Sequence, residues 1–100
     1  MMYGLQGKMT AKPGQRDALL ALLLESSRGD RMPGCHLYII SEVVGEPDAI
    51  AITEVWDDQA AHDASLRLES VRVLIAKARP IIASMGDSLE LRPIGGQGLG

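Results

Sequence analysis

A chain of 100 residues with 46% apolar and 23% charged residues has room for one core and one domain, and this balance excludes extended disorder. A net charge of -3, with acids and bases interspersed and only Tyr3, Tyr38 and Trp56 as aromatics, supplies neither the cationic surface nor the stacking platform that nucleic acid requires. The single cysteine, Cys35, excludes an internal disulfide and a four-thiolate zinc site, so no covalent or metal staple supplements a core this small.

Residues 3–11 alternate loosely, with Tyr3, Leu5, Met9 and Ala11 to one side and Gln6, Lys8 and Thr10 to the other, which predicts a half-buried strand. Lys12-Pro13-Gly14 turns the chain, and Pro13 with Asp17 suits the start of a helix. Leu19, Leu20, Leu23 and Leu24 recur at helical spacing within 15–27, and Gly29-Asp30 is the expected stop. After Met32-Pro33-Gly34, residues 35–44 and 49–56 are rich in β-branched and aliphatic side chains and flank a turn at 45–48, which predicts a hairpin. Leu37 and Ile39 oppose Tyr38 and Ile40 in its first strand, and Ile50 and Ile52 oppose Ala51 and Val55 in its second. A sheet apolar on both faces must be covered on both.

Asp57-Asp58 is placed to cap a short helix over 59–66. Val71, Leu74, Ile75, Ala78 and Ile82 then form the stripe of a second amphipathic helix, with Arg72, Lys77 and Arg79 off it and Pro80 expected to bend or break it. Leu89 and Leu91 alternate with Glu90 and Arg92 in a last strand over 88–92, and the glycine-rich segment 95–100 is an expected mobile tail on a single 1–94 domain. The longest strongly apolar run, 18–24, is too short to span a bilayer. Residues 1–8 lack the pattern of a secretory signal, so the expected location is cytoplasmic, without membrane partners.

The order strand, helix, strand, strand, helix, strand predicts an α+β, ferredoxin-like βαββαβ fold with both helices on one face of an antiparallel sheet. The opposite face then has no cover within the chain. Two copies packed sheet against sheet by an isologous contact would cover it, so a homodimer is expected.

Several short segments, in order and spacing, carry a resemblance. They are Lys12-Pro13-Gly14, Pro33-Gly34-Cys35 with Tyr38, Thr53-Glu54-Val55-Trp56-Asp57-Asp58 running into Ala60-Ala61-His62-Asp63-Ala64, and Arg79-Pro80-Ile81-Ile82. Over Leu5 to Leu91 the chain resembles the antibiotic biosynthesis monooxygenase family of dimeric α+β barrel proteins, which includes quinol monooxygenase-like members. The resemblance implies a pocket between helices and sheet in which a reduced aromatic, quinol-like or anthrone-like, reacts with O₂ without metal, flavin, haem or other cofactor. Such a substrate, once deprotonated, is electron-rich enough to reduce O₂, so the protein need supply only a dry pocket, a proton acceptor and donors for the oxyanion.

Against that expectation the candidate residues each carry two readings. Trp56 is a pocket wall or simply the largest core residue. His62 is a base for a phenolic proton, or a surface histidine paired with Asp58. Many family members carry their histidine one turn later, where this chain has Ser65, and three helical positions turn the facing by about 60°. The sequence has no asparagine, which some active members use on the first strand, so Tyr3, Gln6 or Tyr38 would supply that hydrogen bond, the tyrosines otherwise being edge or interface residues. Glu54 is a rim residue paired with an arginine or a tuned pocket acid, and His36 either a packed strand histidine with a backbone partner or a substrate contact. Asp57 and Asp58 read as caps before they read, with His62, as a divalent site, and Cys35 reads as a small hydrophobe. Two other functions stay open: a non-catalytic dimer that binds a small apolar molecule, and a haem-degrading relative, which the absent asparagine and Ser65 disfavour.

Overall fold

In the computed structural model residues 1–29 and 31–99 are described, so Asp30, half of the expected helix stop, and Gly100, the end of the expected tail, lie outside the described residues. The elements run β1 (Tyr3–Ala11), α1 (Arg16–Ser27), β2 (Cys35–Glu42), β3 (Ala49–Trp56), α2 (Gln59–Ser65), α3 (Glu69–Ala78) and β4 (Ile82–Leu91), with a 3-10 turn at Arg79–Ile81. The four strands form one antiparallel sheet in the order β2-β3-β1-β4, the ferredoxin-like arrangement. No helix among the described residues is long and apolar enough to cross a membrane.

Period-two alternation divides the sheet into two faces. Antiparallel partners point the same way, and Met9 lies opposite Ile50, Gly7 opposite Ile52, Leu5 opposite Glu54 and Tyr3 opposite Trp56. Those positions make the inner face. Leu19 and Leu23 of α1 and Ala78 of α3 meet Ala11, Ile50 and Ile52 there in one core cluster. Leu19 and Ile50 are wholly buried, each contributing about 1.5–3 kcal/mol of transfer free energy. The intervening residues make an outer face, where Ile39, Leu89 and Leu91 stay partly exposed.

The chain departs from the sequence expectation at three joints. The second amphipathic helix ends at Ala78, and Ile82, expected on its stripe, is the first residue of β4. Pro80 has no N–H for a helical bond, and the chain leaves the turn with Lys12 N–H donating to Ile81 O at 2.7 Å and Ala11 paired with Ile82. The last strand therefore starts six residues before the expected Ser88. Its register slips between Gly7 and Met9 and again between Thr10 and Ala11, which scrambles the alternation that marks a strand in sequence. Pro13 lies in the turn before α1, which starts at Arg16, one residue after the expected Gln15, and β2 ends at Glu42, two residues short of Val44.

Candidate active site

The helices and the inner face enclose a cavity of about 860 Å³. Its floor comes from alternate residues of two paired strands: His36 and Tyr38 of β2, and Ile52, Glu54 and Trp56 of β3. Tyr38 lies directly opposite Glu54 in the register. The walls are His62 and Ser65 of α2 and Val71, Leu74, Ile75 and Ala78 of α3, and Arg79 with the start of β4 closes the far end. The apolar majority with a few convergent polar groups is the usual make-up of a small-molecule site.

Asp58 sets the position of α2. Its side chain accepts from Ala61 N–H at 2.8 Å and so caps the helix, as expected of an aspartate in extended backbone before a first turn. His62, next along the helix, turns inward. Its ring lies 5.7 Å from Trp56 in an edge-on arrangement and 5.6 Å from Tyr3, tilted by 46°. His62 Nε2 stands 4.0 Å from Glu54 Oε1, and that same oxygen accepts from Trp56 Nε1 at 3.0 Å. His62 Nδ1 lies 3.2 Å from Asp63 Oδ1. With the proton on Nδ1 shared with Asp63, Nε2 keeps its lone pair beside Glu54, in a pair whose side chains are only 16% and 17% exposed. The Asp58–His62 pairing expected for a surface histidine is thus not formed: Asp58 is used by the cap, and His62 packs between two aromatic rings.

Glu54 has Trp56 and His62 for neighbours, not the arginine expected at a rim. Above it, burial in the first place, with the Glu54 charge and Cys35 adding, pushes the Tyr38 phenol up to about 12. Its hydroxyl stays protonated at neutral pH and can donate. Burial, then Glu54, also raises the Cys35 thiol, in keeping with its reading as a small hydrophobe.

The remaining expected residues are sorted by the fold. Trp56 is 1% exposed and lines the cavity. Ser65 is buried and lines the cavity, but its hydroxyl donates to His62 O at 2.6 Å and so braces the helix carbonyl. His36 sits at the rim, where Nε2 pairs with the Asp57 carboxylate rather than with a backbone group, and this leaves Asp58 as the sole cap. Gln6 is not in the cavity. It lies between Thr53 and Leu89 on the outer face, because unbroken alternation through the first half of β1 sends the even positions away from the helices. Among the described residues no three His, Cys, Asp or Glu side chains gather to hold a metal ion, so Asp57, Asp58 and His62 make no divalent site.

Three participants escape a sequence reading. Asp63 follows His62 directly and carries no periodic signal. Glu90 accepts from the Tyr3 hydroxyl at 2.8 Å across 87 residues, a pairing visible only once β1 and β4 are in register. Arg79 stands off the apolar stripe of the helical pattern, yet it lines the cavity.

Residues 2–77 match the family described as antibiotic biosynthesis monooxygenase. A candidate antibiotic biosynthesis monooxygenase from Chloroflexus aurantiacus J-10-fl is 52% identical over the whole of both chains, and its crystal structure superposes with a TM-score of 0.92. Two further crystal structures share the fold at low identity. One, from Caulobacter crescentus, has 16% identity over 94% of this chain and 91% of its own, with a TM-score of 0.86. The other, from Deinococcus radiodurans, has 23% identity over 96% and 95%, with a TM-score of 0.78. No curated protein matches the chain.

Proposed function

The chain belongs to the antibiotic biosynthesis monooxygenase family, and on that premise we propose that it is a cofactor-independent monooxygenase acting on a quinol-like or anthrone-like aromatic with O₂, as a homodimer. The observation that carries this reading is the cluster at one end of the cavity, where a partly buried imidazole, a carboxylate and an indole meet beside a protonated phenol.

In this reading the substrate ring stacks against Trp56, and its acidic hydroxyl or ring C–H faces His62 Nε2, which takes the proton. The Glu54 carboxylate, held by the indole N–H, stabilises the imidazolium that results, and the Tyr38 hydroxyl donates to the substrate oxyanion. The carbanion passes one electron to O₂, and the radical and superoxide combine to form a C–O bond. The peroxide anion recovers the proton from His62. Loss of the second ring hydrogen with O–O cleavage then leaves a carbonyl and releases water, so one oxygen atom enters the product and the other leaves as water. For an anthrone the balance is a methylene plus O₂ giving a ketone plus water. A small apolar cavity favours this sequence by excluding solvent from the carbanion.

Oxygen uptake by the chelator-treated protein, measured against a panel of reduced quinols and anthrones, tests the proposal. Uptake should exceed the spontaneous rate and fall by about 10²-fold or more in His62→Ala, the range of a lost general base. Uptake that survives the substitution removes His62 from the mechanism. Binding of the panel, followed by Trp56 fluorescence, without any uptake would make the protein a binder, and a ligated Soret band with haemin would instead favour the haem-degrading relatives.

A further inference from the structure

The cavity extends from the Trp56 end of the sheet to the Ile82 end. At one end stand Trp56, His62 and Glu54. α3 forms the wall from there to the other end, and its ten residues, Glu69–Ala78, span about 15 Å at the helical rise. Between the ends the lining is mainly hydrocarbon, including Leu74, Ile75 and Ile82, with Ser70 and Ser84 among it.

Arg79 closes the far end. It sits in the 3-10 turn that Pro80 enforces, on the exposed side of the cavity mouth, and makes no ion pair among the described residues. The other arginine of the lining, Arg31, is already committed: its Nε and a terminal nitrogen donate to the carbonyls of Cys35 and His36 at 3.2 and 3.0 Å. Arg31 thus stands at the same end as Glu54, its fork held by backbone carbonyls, and Arg79 is the guanidinium of the lining left to meet an anion at the other end.

We propose that the preferred ligand is an elongated amphiphile, with a phenolic ring at His62, a hydrocarbon middle along α3 and a terminal carboxylate on Arg79. The proposal deepens the reading of the cavity as an aromatic-oxidising site and rests on it for the placement of the ring.

The test is equilibrium binding, read from the fluorescence of Trp56, and needs no turnover. The probes are para-hydroxyphenyl-octanoic acid, its methyl ester, and para-hydroxyphenylacetic acid, which is too short to reach both ends. The long acid should bind at least tenfold more tightly than its ester, with the preference absent for the short acid against its own ester. Arg79→Ala should abolish that preference without changing the far-ultraviolet spectrum, and Arg79→Lys should retain part of it. Equal binding of acid and ester, a preference that persists in Arg79→Ala, or no binding of either long probe overturns the proposal. Acid-selective binding together with no oxygen uptake from the quinol and anthrone panel would leave it standing and count against the monooxygenase reading instead, so the two failures are separable.

Discussion

Tyr3 and Tyr38 are the only tyrosines, and both phenols are raised to about 12, each by desolvation before any other cause. For Tyr3 the hydrogen bond to Glu90 is the next contribution, and for Tyr38 the charge of Glu54. A raised phenol means that the folded chain holds its protons where the unfolded chain has released them. The stability so contributed is complete below pH 10 and is lost as pH rises through about 12. Ultraviolet titration of the folded protein should therefore show no tyrosinate absorbance at pH 10, then a late rise that coincides with loss of structure by circular dichroism. Half-ionisation of either residue near pH 10 in the folded protein would contradict that desolvation. The same scale shows where the sequence is mute. Residue type and parity place Trp56 and Ser65 near the site, whereas the inward turn of His62 depends on a cap that consumes Asp58 and on Tyr3 arriving from another strand. Gln6 illustrates the opposite case: its side of β1 is legible from parity, but parity alone does not say which side the helices will cover, and they cover the other one.

At the scale of elements, the junction between β2 and α2 governs the geometry of the site. Gly34 has φ +78°, and a Cβ there would stand 2.8 Å from Ala61 Cβ and 3.3 Å from Asp57 Oδ2. Its carbonyl accepts from Asp57 N–H at 2.8 Å, so the start of β2, the end of β3 and α2 are locked at one point. Gly45, with φ +86° in the hairpin turn, has nothing within 4 Å of its would-be Cβ. Gly45→Ala should cost only the left-handed backbone penalty, about 1–2 kcal/mol. Gly34→Ala adds a steric conflict with a backbone-anchored methyl, so its fall in Tm should be at least twice as large, and displacement of Ala61 should carry His62 with it. Equal Tm losses in the two variants would show that the close approach is absent. Strand and helix existence is legible at this scale because β2 and β3 are bounded runs of β-branched and aliphatic residues, α1 is a leucine-rich run too long for a turn, and α3 carries an apolar stripe. The start of β4 is not, because its bulged register removes the alternation, and Pro80 marks a break in the helix without specifying that a strand begins two residues beyond it.

At the scale of the whole molecule, the outer face of the sheet is the feature that the described residues leave partly uncovered. Two transverse rows cross it. One runs Leu37, Val55, Gly4, Leu91 and the next Ile39, Thr53, Gln6, Leu89. Ile39, Leu89 and Leu91 are 45%, 59% and 40% exposed in the single chain, on a face that a domain of 100 residues can scarcely leave bare. The topology and the need for a cover are both legible in the alternation of the hairpin, since Leu37 and Ile39 oppose Tyr38 and Ile40. Alternation does not identify the cover, and a second copy is the proposal that supplies equal apolar rows by symmetry. An isologous contact brings each substitution in twice, so a lysine at position 39 or 89 desolvates two ammonium groups at once. Ile39→Lys and Leu89→Lys should each shift the sedimenting mass from dimer to monomer. Val44→Lys, in the hairpin turn at 99% exposure and outside both rows, should leave it unchanged. If all three variants sediment as the parent does, the rows are not the contact. If the lysine variants become monomeric yet keep the affinity of the cavity for its ligands, then the cavity is complete without the partner, and the second copy serves the sheet rather than the site.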